Sequence, residues 1–148
     1  MGFNIIAMLV ALFAGLTMAV QGVWNSVLGR AVGLLEATFI VHVVGIVTVL
    51  LGLYVFRLGE GDLSKITQAP LYTLLGGVLG VLIVYGVIFS IPKLGVAIAT
   101  TGIIVGQVST ALLIDHFGLF GMERIPFSWF KGAGIVLLAA GAKLMLMR

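Results

Sequence analysis

Long apolar runs separated by short polar segments dominate the pattern of this chain. A helix needs about 20 mostly apolar residues to cross the hydrocarbon core, and the sequence holds five such runs. None of them alternates with a period of two, as barrel strands would. The predicted fold is all-α, an integral membrane protein whose residues 1–148 form a single transmembrane domain. The predicted spanning helices are residues 3–24, 37–56, 71–91, 94–114 and 132–147.

The connections between the predicted helices are mostly short. Residues 30–36 predict a glycine-containing turn, and residues 57–68 form the most polar loop. Pro92 is expected to end the third helix, because proline lacks a backbone N–H and biases its predecessor away from helix. The loop at residues 115–131 is rich in aromatic side chains, which suit the headgroup boundary of a bilayer.

Composition supports a membrane protein and removes several other classes. The chain is 61% hydrophobic and 9% charged, whereas a soluble domain has about 25% charged residues. It has no cysteine, so neither a disulfide nor a thiolate site is expected. Its eight lysines and arginines are scattered singly and form no basic stripe. We therefore expect the lipid bilayer, and no nucleic acid, as a partner.

The distribution of lysine and arginine bears on orientation, since these residues favour the cytoplasmic side in short loops. With five spans, one side holds four of them and the other side also holds four. A chain without bias is predicted to insert both ways and to pair as an antiparallel homodimer of ten helices. A folding partner or the lipid composition could instead impose one orientation. The two sets are Arg57, Lys65, Arg124 and Lys131, and Arg30, Lys93, Lys143 and Arg148.

Polar side chains recur at helical spacing on three of the predicted helices. Polar groups in lipid are costly and normally face the bundle interior or a wet cavity. We therefore expect a central cavity at the dimer interface, lined by the polar faces of predicted helices 1, 2 and 4 from each copy, and these faces include Thr17 and Thr38. The candidate substrate-binding residues are Gln21, Trp24, Asn25, His42, Tyr85, Thr100, Gln107 and Thr110.

Several of these residues allow a structural interpretation as well. Gln21 and Gln107 could simply join helices by hydrogen bonds, each worth about 0.6 kcal/mol in a bilayer. His42 is the one ionisable side chain well inside a predicted span, and it is either a proton-sensitive group or a hydrogen-bonded structural residue. Trp24 fits an interfacial anchor or a wall that contacts a cation.

Small residues form stripes on the same helices and predict helix–helix contacts, since they let backbones approach closely. In the first helix, alanines at positions 7, 11 and 19 flank Gly15 on one face. Such contacts could also allow helices to slide during transport. The predicted packing glycines are Gly15, Gly76, Gly80, Gly102 and Gly106.

Charged residues outside the spans suggest no catalytic chemistry. Asp115 is placed at a helix C-terminus, where its charge is unfavourable, and His116, Arg124 and Lys131 are its candidate partners. Glu36 and Glu123 are predicted to be solvated loop charges. No triad or metal-ligand spacing is present, so we expect no enzyme, no metal and no cofactor.

Four segments resemble one known family over essentially the whole chain. They are QGVWNSVLG, EATFIVHVVG, IPKLGVAIATTGIIVGQVSTALLIDHFGLFG and KGAGIVLLAAGAKLM. The chain resembles the five-helix YdcZ-like branch of the drug/metabolite transporter superfamily, whose members occur as dual-topology proteins, oppositely oriented pairs or ten-helix fusions. His42 is not among the positions that match the family motif. The matching positions are Gln21, Asn25, Gly102, Gly106, Gln107, Asp115 and Gly118.

The resemblance implies transport across the bacterial cytoplasmic (inner) membrane by a multi-pass protein, without identifying the substrate. We expect alternating access in an inverted dimer that moves a small polar solute. Because no span has a carboxylate in its middle, a neutral or zwitterionic solute is favoured over a bare cation. The alternatives are a passive channel and a non-transporting scaffold or assembly subunit.

Overall fold

Five α-helices make up most of the chain in the computed structural model, which describes residues 4–147. They are α1 (Ile5–Val32), α2 (Leu34–Leu50), α3 (Leu75–Leu94), α4 (Val96–Phe117) and α5 (Trp129–Leu146). With the short helical turns that flank α2 and α3, all five are long and apolar enough to cross a membrane. The described residues contain no strand, and the predicted all-α class with five spans is confirmed.

Helix α1 is longer than predicted at its C-terminal end. Asn4 caps its start by accepting a hydrogen bond from the N–H of Ala7 at 3.1 Å. The helix then continues past Trp24 to Val32, and Gly33 ends it with a φ of 107°. Its 28 residues extend over about 42 Å at 1.5 Å per residue. The predicted turn at residues 30–36 is therefore reduced to a single glycine, and Arg30 lies in the last helical turn.

Helix α2 begins three residues earlier than predicted, and this changes the position of Glu36. The side chain lies in the first turn of the helix, not in a solvated loop as predicted. A carboxylate there is favoured by the positive end of the helix dipole. At the other end, Leu51–Val55 form a π-helical turn that extends the span to Val55.

The loop after α2 is ordered by one aspartate. Asp62 accepts hydrogen bonds from the N–H and the hydroxyl of Ser64, at 2.9 and 2.7 Å, and so caps a short 3₁₀ helix, Leu63–Gln68. The Ser64 hydroxyl and then its N–H hold the pKa of Asp62 below the usual value. A second 3₁₀ turn, Leu71–Leu74, leads into α3.

The prediction that Pro92 ends the third helix is wrong. Pro92 lies inside α3, which continues to Leu94. A proline removes one backbone hydrogen bond and kinks a helix at its own position, and here only Lys93 and Leu94 follow it in α3. The break comes instead at Gly95, whose φ of 86° lies in the region that favours glycine.

Helix α4 ends at Gly118, whose φ of 62° and ψ of 40° form a left-handed cap. Asp115 thus lies within the last turn, and its carbonyl accepts a hydrogen bond from the N–H of Ile125 at 2.8 Å. The side chain of Arg124 donates to the carbonyl of His116 at 3.0 Å. A cation at this position stabilises the negative end of the helix dipole.

We expect the Gly118→Ala variant to be less stable than the wild type by about 1–2 kcal/mol, the cost of an L-residue in the left-handed region. An added Cβ would also lie 3.2 Å from the carbonyl oxygen of Met122. The free energy of unfolding, measured by SDS titration in detergent micelles, tests this. Gly134→Ala is the matched control, since a Cβ there has open space. Equal stability of the two variants would contradict the prediction.

The chain divides into two compact units, Met1–Pro92 and Lys93–Arg148, which are described separately. In the first unit, α1 packs on α2 and α3 through Gly22 and Gly29. A Cβ on Gly22 would lie 2.9 Å from Cδ1 of Ile91, and one on Gly29 would overlap Cγ2 of Ile88. Ile88 is completely buried. The core of this unit therefore depends on two glycines that bring helix backbones close together.

These close contacts occur beyond the small-residue stripe that the sequence singled out on the first helix. Gly22 follows Gly15 by seven residues, so the two glycines share one face of α1. A Cβ on Gly15 would meet no atom within 4 Å. Helix α1 thus has one face of small residues. Within residues 4–147, α2 and α3 pack on the C-terminal half of this face.

In the second unit, α4 packs against α5. Thr101 on α4 donates its hydroxyl hydrogen bond to the carbonyl of Ala97 at 2.8 Å, and its oxygen lies 3.3 Å from the sulfur of Met145 on α5. Ser128 caps the start of α5 by accepting a bond from the N–H of Lys131 at 3.3 Å. The ring of Phe127 lies over Gly132.

Candidate functional site

Two cavities meet at His42 in the first unit. The first, which we call the glutamine cavity, has a volume of about 500 Å³ and lies between α1, α2 and α3. Gln21 comes from α1 and His42 from α2, so the structure brings two predicted site residues into one cavity. The remaining wall is apolar or glycine: Val41, Gly45, Ile46, Val49, Leu50 and Val84.

The second cavity, which we call the glutamate cavity, has a volume of about 550 Å³ and lies along the N-terminal half of α2. Glu36 and His42 contribute ionisable groups, and Val81 comes from α3. Glu36 is not among the site residues predicted from the sequence, because the predicted loop at residues 30–36 includes it. The sequence does contain an indication that Glu36 lies in a helix. Gly33 can end one helix and begin the next, and Glu36 follows it by three residues.

One ring nitrogen of His42 is hydrogen-bonded to the backbone. Its Nδ1 lies 2.7 Å from the carbonyl oxygen of Thr38, and because a carbonyl can only accept, Nδ1 carries the hydrogen. The neutral imidazole then has its lone pair on Nε2. That nitrogen faces α3, 3.7 Å from where a Cβ of Gly80 would lie.

Polar groups in this unit separate into those satisfied by their own helix and those that remain available. Ser26 and Thr38 are almost fully buried and donate to carbonyls four residues earlier, Gly22 and Leu34, at 2.8 Å. Within residues 4–147, the amide of Gln21 and Nε2 of His42 form no hydrogen bond. The lining of the glutamine cavity therefore has free donors and acceptors for a solute.

Trp24 lies on a different surface from His42. With Thr17 and Gln21 it lines a shallow concavity along α1 of about 590 Å³, and 71% of its surface is exposed. Such exposure suits an aromatic side chain at the lipid boundary. Gln21 lines both this concavity and the glutamine cavity.

The other two candidate residues of the first unit have contrasting environments. Asn25 is only 7% exposed and belongs to the face of α1 that packs on its neighbours. Tyr85 on α3 is 39% exposed. Neither residue lines the glutamine or the glutamate cavity. Their role in binding a substrate stays a prediction.

The candidate residues of the second unit lie along α4. Thr100 is partly buried, whereas Gln107 and Thr110 are exposed. The expectation that these residues share a cavity with α1 stays a prediction.

The predicted packing glycines mostly face open space in the single chain. A Cβ on Gly76, Gly102 or Gly106, as on Gly15, would meet no atom within 4 Å. Gly80 differs, because it faces His42. The first four glycines are free to contact a second copy of the chain or lipid, so their packing role also stays a prediction.

Within the described residues, no group of three or more His, Asp or Glu side chains is arranged to hold a metal ion. The linings of the two cavities offer the amide of Gln21, the imidazole of His42 and the carboxylate of Glu36.

Comparison with known proteins identifies one family. The profile described as "Putative inner membrane exporter, YdcZ" matches residues 6–144, which is nearly the full length of the chain. No curated protein matches the sequence, and no solved structure matches it.

Proposed function

The chain belongs to the YdcZ family of the drug/metabolite transporter class, a multi-pass protein of the inner membrane, and from that premise we propose that it exports a small polar solute by alternating access. The observation that carries this proposal is the glutamine cavity. It joins Gln21 and His42, two polar side chains from different helices, inside the membrane-spanning region.

The lining of this cavity favours a solute without net charge. Gln21 offers an amide oxygen and an NH₂ group, and neutral His42 offers an acceptor. The rest of the wall is aliphatic or glycine. Such a wall disfavours an isolated charge, because desolvating it is costly. A neutral or zwitterionic solute that presents hydrogen-bond donors and acceptors fits this lining best.

We further propose that the functional unit is an inverted homodimer of ten helices. Lysine and arginine together number four on each predicted side of the membrane, and this balance supports it. In such a dimer, α4 of each copy would contribute Thr100, Gln107 and Thr110 to the transport path.

Substitution of Gln21 by leucine is expected to reduce solute flux at least tenfold, because it removes the hydrogen bonds of one cavity wall at nearly constant volume. The measurement is solute flux into liposomes that contain either the wild type or Gln21→Leu. The solutes are a panel of radiolabelled amino acids, sugars and polyols, with tetraphenylphosphonium as the cationic comparison. Thr48→Val is the matched control, since Thr48 is exposed on α2 and bonds only to its own helix.

The alternatives give different results in the same experiment. A passive channel would show single-channel currents or flux that does not saturate. A scaffold or assembly subunit would move none of the panel, while Gln107→Ala would lose assembly. Equal flux by the wild type and Gln21→Leu would remove Gln21 from the site.

A further inference from the structure

His42 lies deep within its span at the contact between α2 and α3. It follows the first residue of α2 by eight positions, which is about 12 Å along the helix axis. Its Nδ1–H is held by the carbonyl of Thr38, so the lone pair of the neutral ring is on Nε2. On α3, Gly80 leaves room beside that nitrogen.

We infer that His42 is a proton-binding site that couples solute flux to the proton gradient. The inference rests on the proposed function, because a proton can be coupled only to a solute that the protein moves. It adds the coupling ion and the residue that binds it. Neither follows from Gln21 or from the shape of the glutamine cavity.

The two cavities supply the first argument. His42 is the residue common to the linings of the glutamine cavity and the glutamate cavity. Coupling requires a group that can receive a proton from one compartment and release it to another. A side chain that lines two cavities can exchange a proton with water in either of them.

The charges around His42 supply the second argument. In the linings of the two cavities, the titratable groups are Glu36 and His42 itself, both on α2. The lining residues from the other helices are Gln21 on α1 and Val81 and Val84 on α3, and none of them titrates. Glu36 can attract a hydronium ion into the glutamate cavity, and His42 is the group beyond it that can accept the proton.

The proposed step is a reversible proton transfer. A hydronium ion in one cavity gives its proton to the lone pair of Nε2 and leaves as water. The imidazolium then donates from both nitrogens, with Nδ1–H still bonded to Thr38. Release of the Nε2 proton to water in the other cavity restores the neutral ring. Histidine suits this cycle, because its charge changes between about pH 5 and pH 8.

The test combines a titration with a flux measurement on the full-length protein. In the His116→Gln background, ¹³C-labelled His42 gives a single imidazole signal, because the chain has two histidines. We expect the chemical shift of this signal to change from a neutral-ring value to an imidazolium value as the pH is lowered. In liposomes with an imposed pH gradient, we expect the wild type and His116→Gln to accumulate a member of the solute panel at least fivefold. We expect His42→Gln to lose accumulation, so that the pH gradient no longer changes its solute flux, whatever downhill flux the variant retains.

The outcomes separate this inference from the proposed function. Gradient-driven accumulation by His42→Gln that equals the wild-type value would overturn the proton site while leaving solute transport intact. A His42 signal that does not titrate would overturn it as well. If no solute of the panel moves, the proposed function fails for that panel, and the inferred coupling fails with it even where His42 titrates.

Discussion

A Gly29→Ala substitution is expected to destabilise the protein by about 1–3 kcal/mol, the usual cost of overpacking a close contact. The added Cβ would overlap Cγ2 of Ile88, a completely buried and β-branched side chain that cannot turn away. It would also lie 3.8 Å from the Cβ of Ala37 on α2. The single methyl group therefore forces α1 and α3 apart. The free energy of unfolding in SDS titrations is the quantity to measure.

Two further variants identify the cause. Gly15→Ala is the matched control on the same helix, since its Cβ has open space, and alanine there gains about 1 kcal/mol of helix propensity. In the double variant Gly29→Ala/Ile88→Ala, Cγ2 is absent, so the combined loss should be smaller than the sum of the single losses by about 0.5–3 kcal/mol. Simple additivity would show that the clash does not cause the instability.

Shifting the charge balance of one loop is expected to abolish solute flux, and co-expression of two opposite variants is expected to restore it. The variant Arg57→Asn/Lys65→Gln removes two positive charges from the loop at residues 56–70, and the variant Leu58→Lys/Gln68→Lys adds two to it. Asparagine is chosen at position 57 because Arg57 has a φ of 52°, which asparagine tolerates. All four positions are exposed.

The physical reason is that positive loops stay on the cytoplasmic side. The added lysines should hold this loop, and with it the N-terminus, in the cytoplasm and place the C-terminus outside. The variant Arg57→Asn/Lys65→Gln should adopt the opposite orientation, with this loop and the N-terminus outside and the C-terminus in the cytoplasm. C-terminal fusions to alkaline phosphatase and to green fluorescent protein report the two orientations, and the wild type should give both signals.

Flux measured on each variant alone and on the co-expressed pair then tests the inverted dimer. The matched control Arg57→Lys/Lys65→Arg keeps the charge and should behave as the wild type. Full flux from a singly oriented variant would show that an inverted partner is not needed for transport.

Much of the fold was predictable, because crossing hydrocarbon imposes a simple requirement on length and polarity. Five apolar runs predicted five spans, and all five are present. The ends of the helices were less predictable. Helix α1 passes Trp24 and α3 passes Pro92, because a backbone in or near lipid keeps its internal hydrogen bonds until a residue such as Gly33 or Gly95 turns it.

The candidate site was predictable only in part. Helical spacing marked Gln21 and His42 as polar residues in apolar helices, and the structure places both in one cavity. Spacing gave no information on Glu36, because its role depends on where α2 starts. It also did not show that Asn25 belongs to a packing face, since the side chains of a substrate site and of a helix contact share the same period.

The sequence by itself determined the fold class, the number of spans and the balance of charge, because these depend on the hydropathy and charge of segments, which need no neighbours. Only the tertiary structure decided which glycines bring helices together and which polar groups remain available. Gly15 and Gly29 are alike in the sequence, yet only Gly29 has Ile88 against it. The reason is that lipid and a protein core are equally apolar, so hydrophobicity along a helix does not reveal which of its faces has a partner.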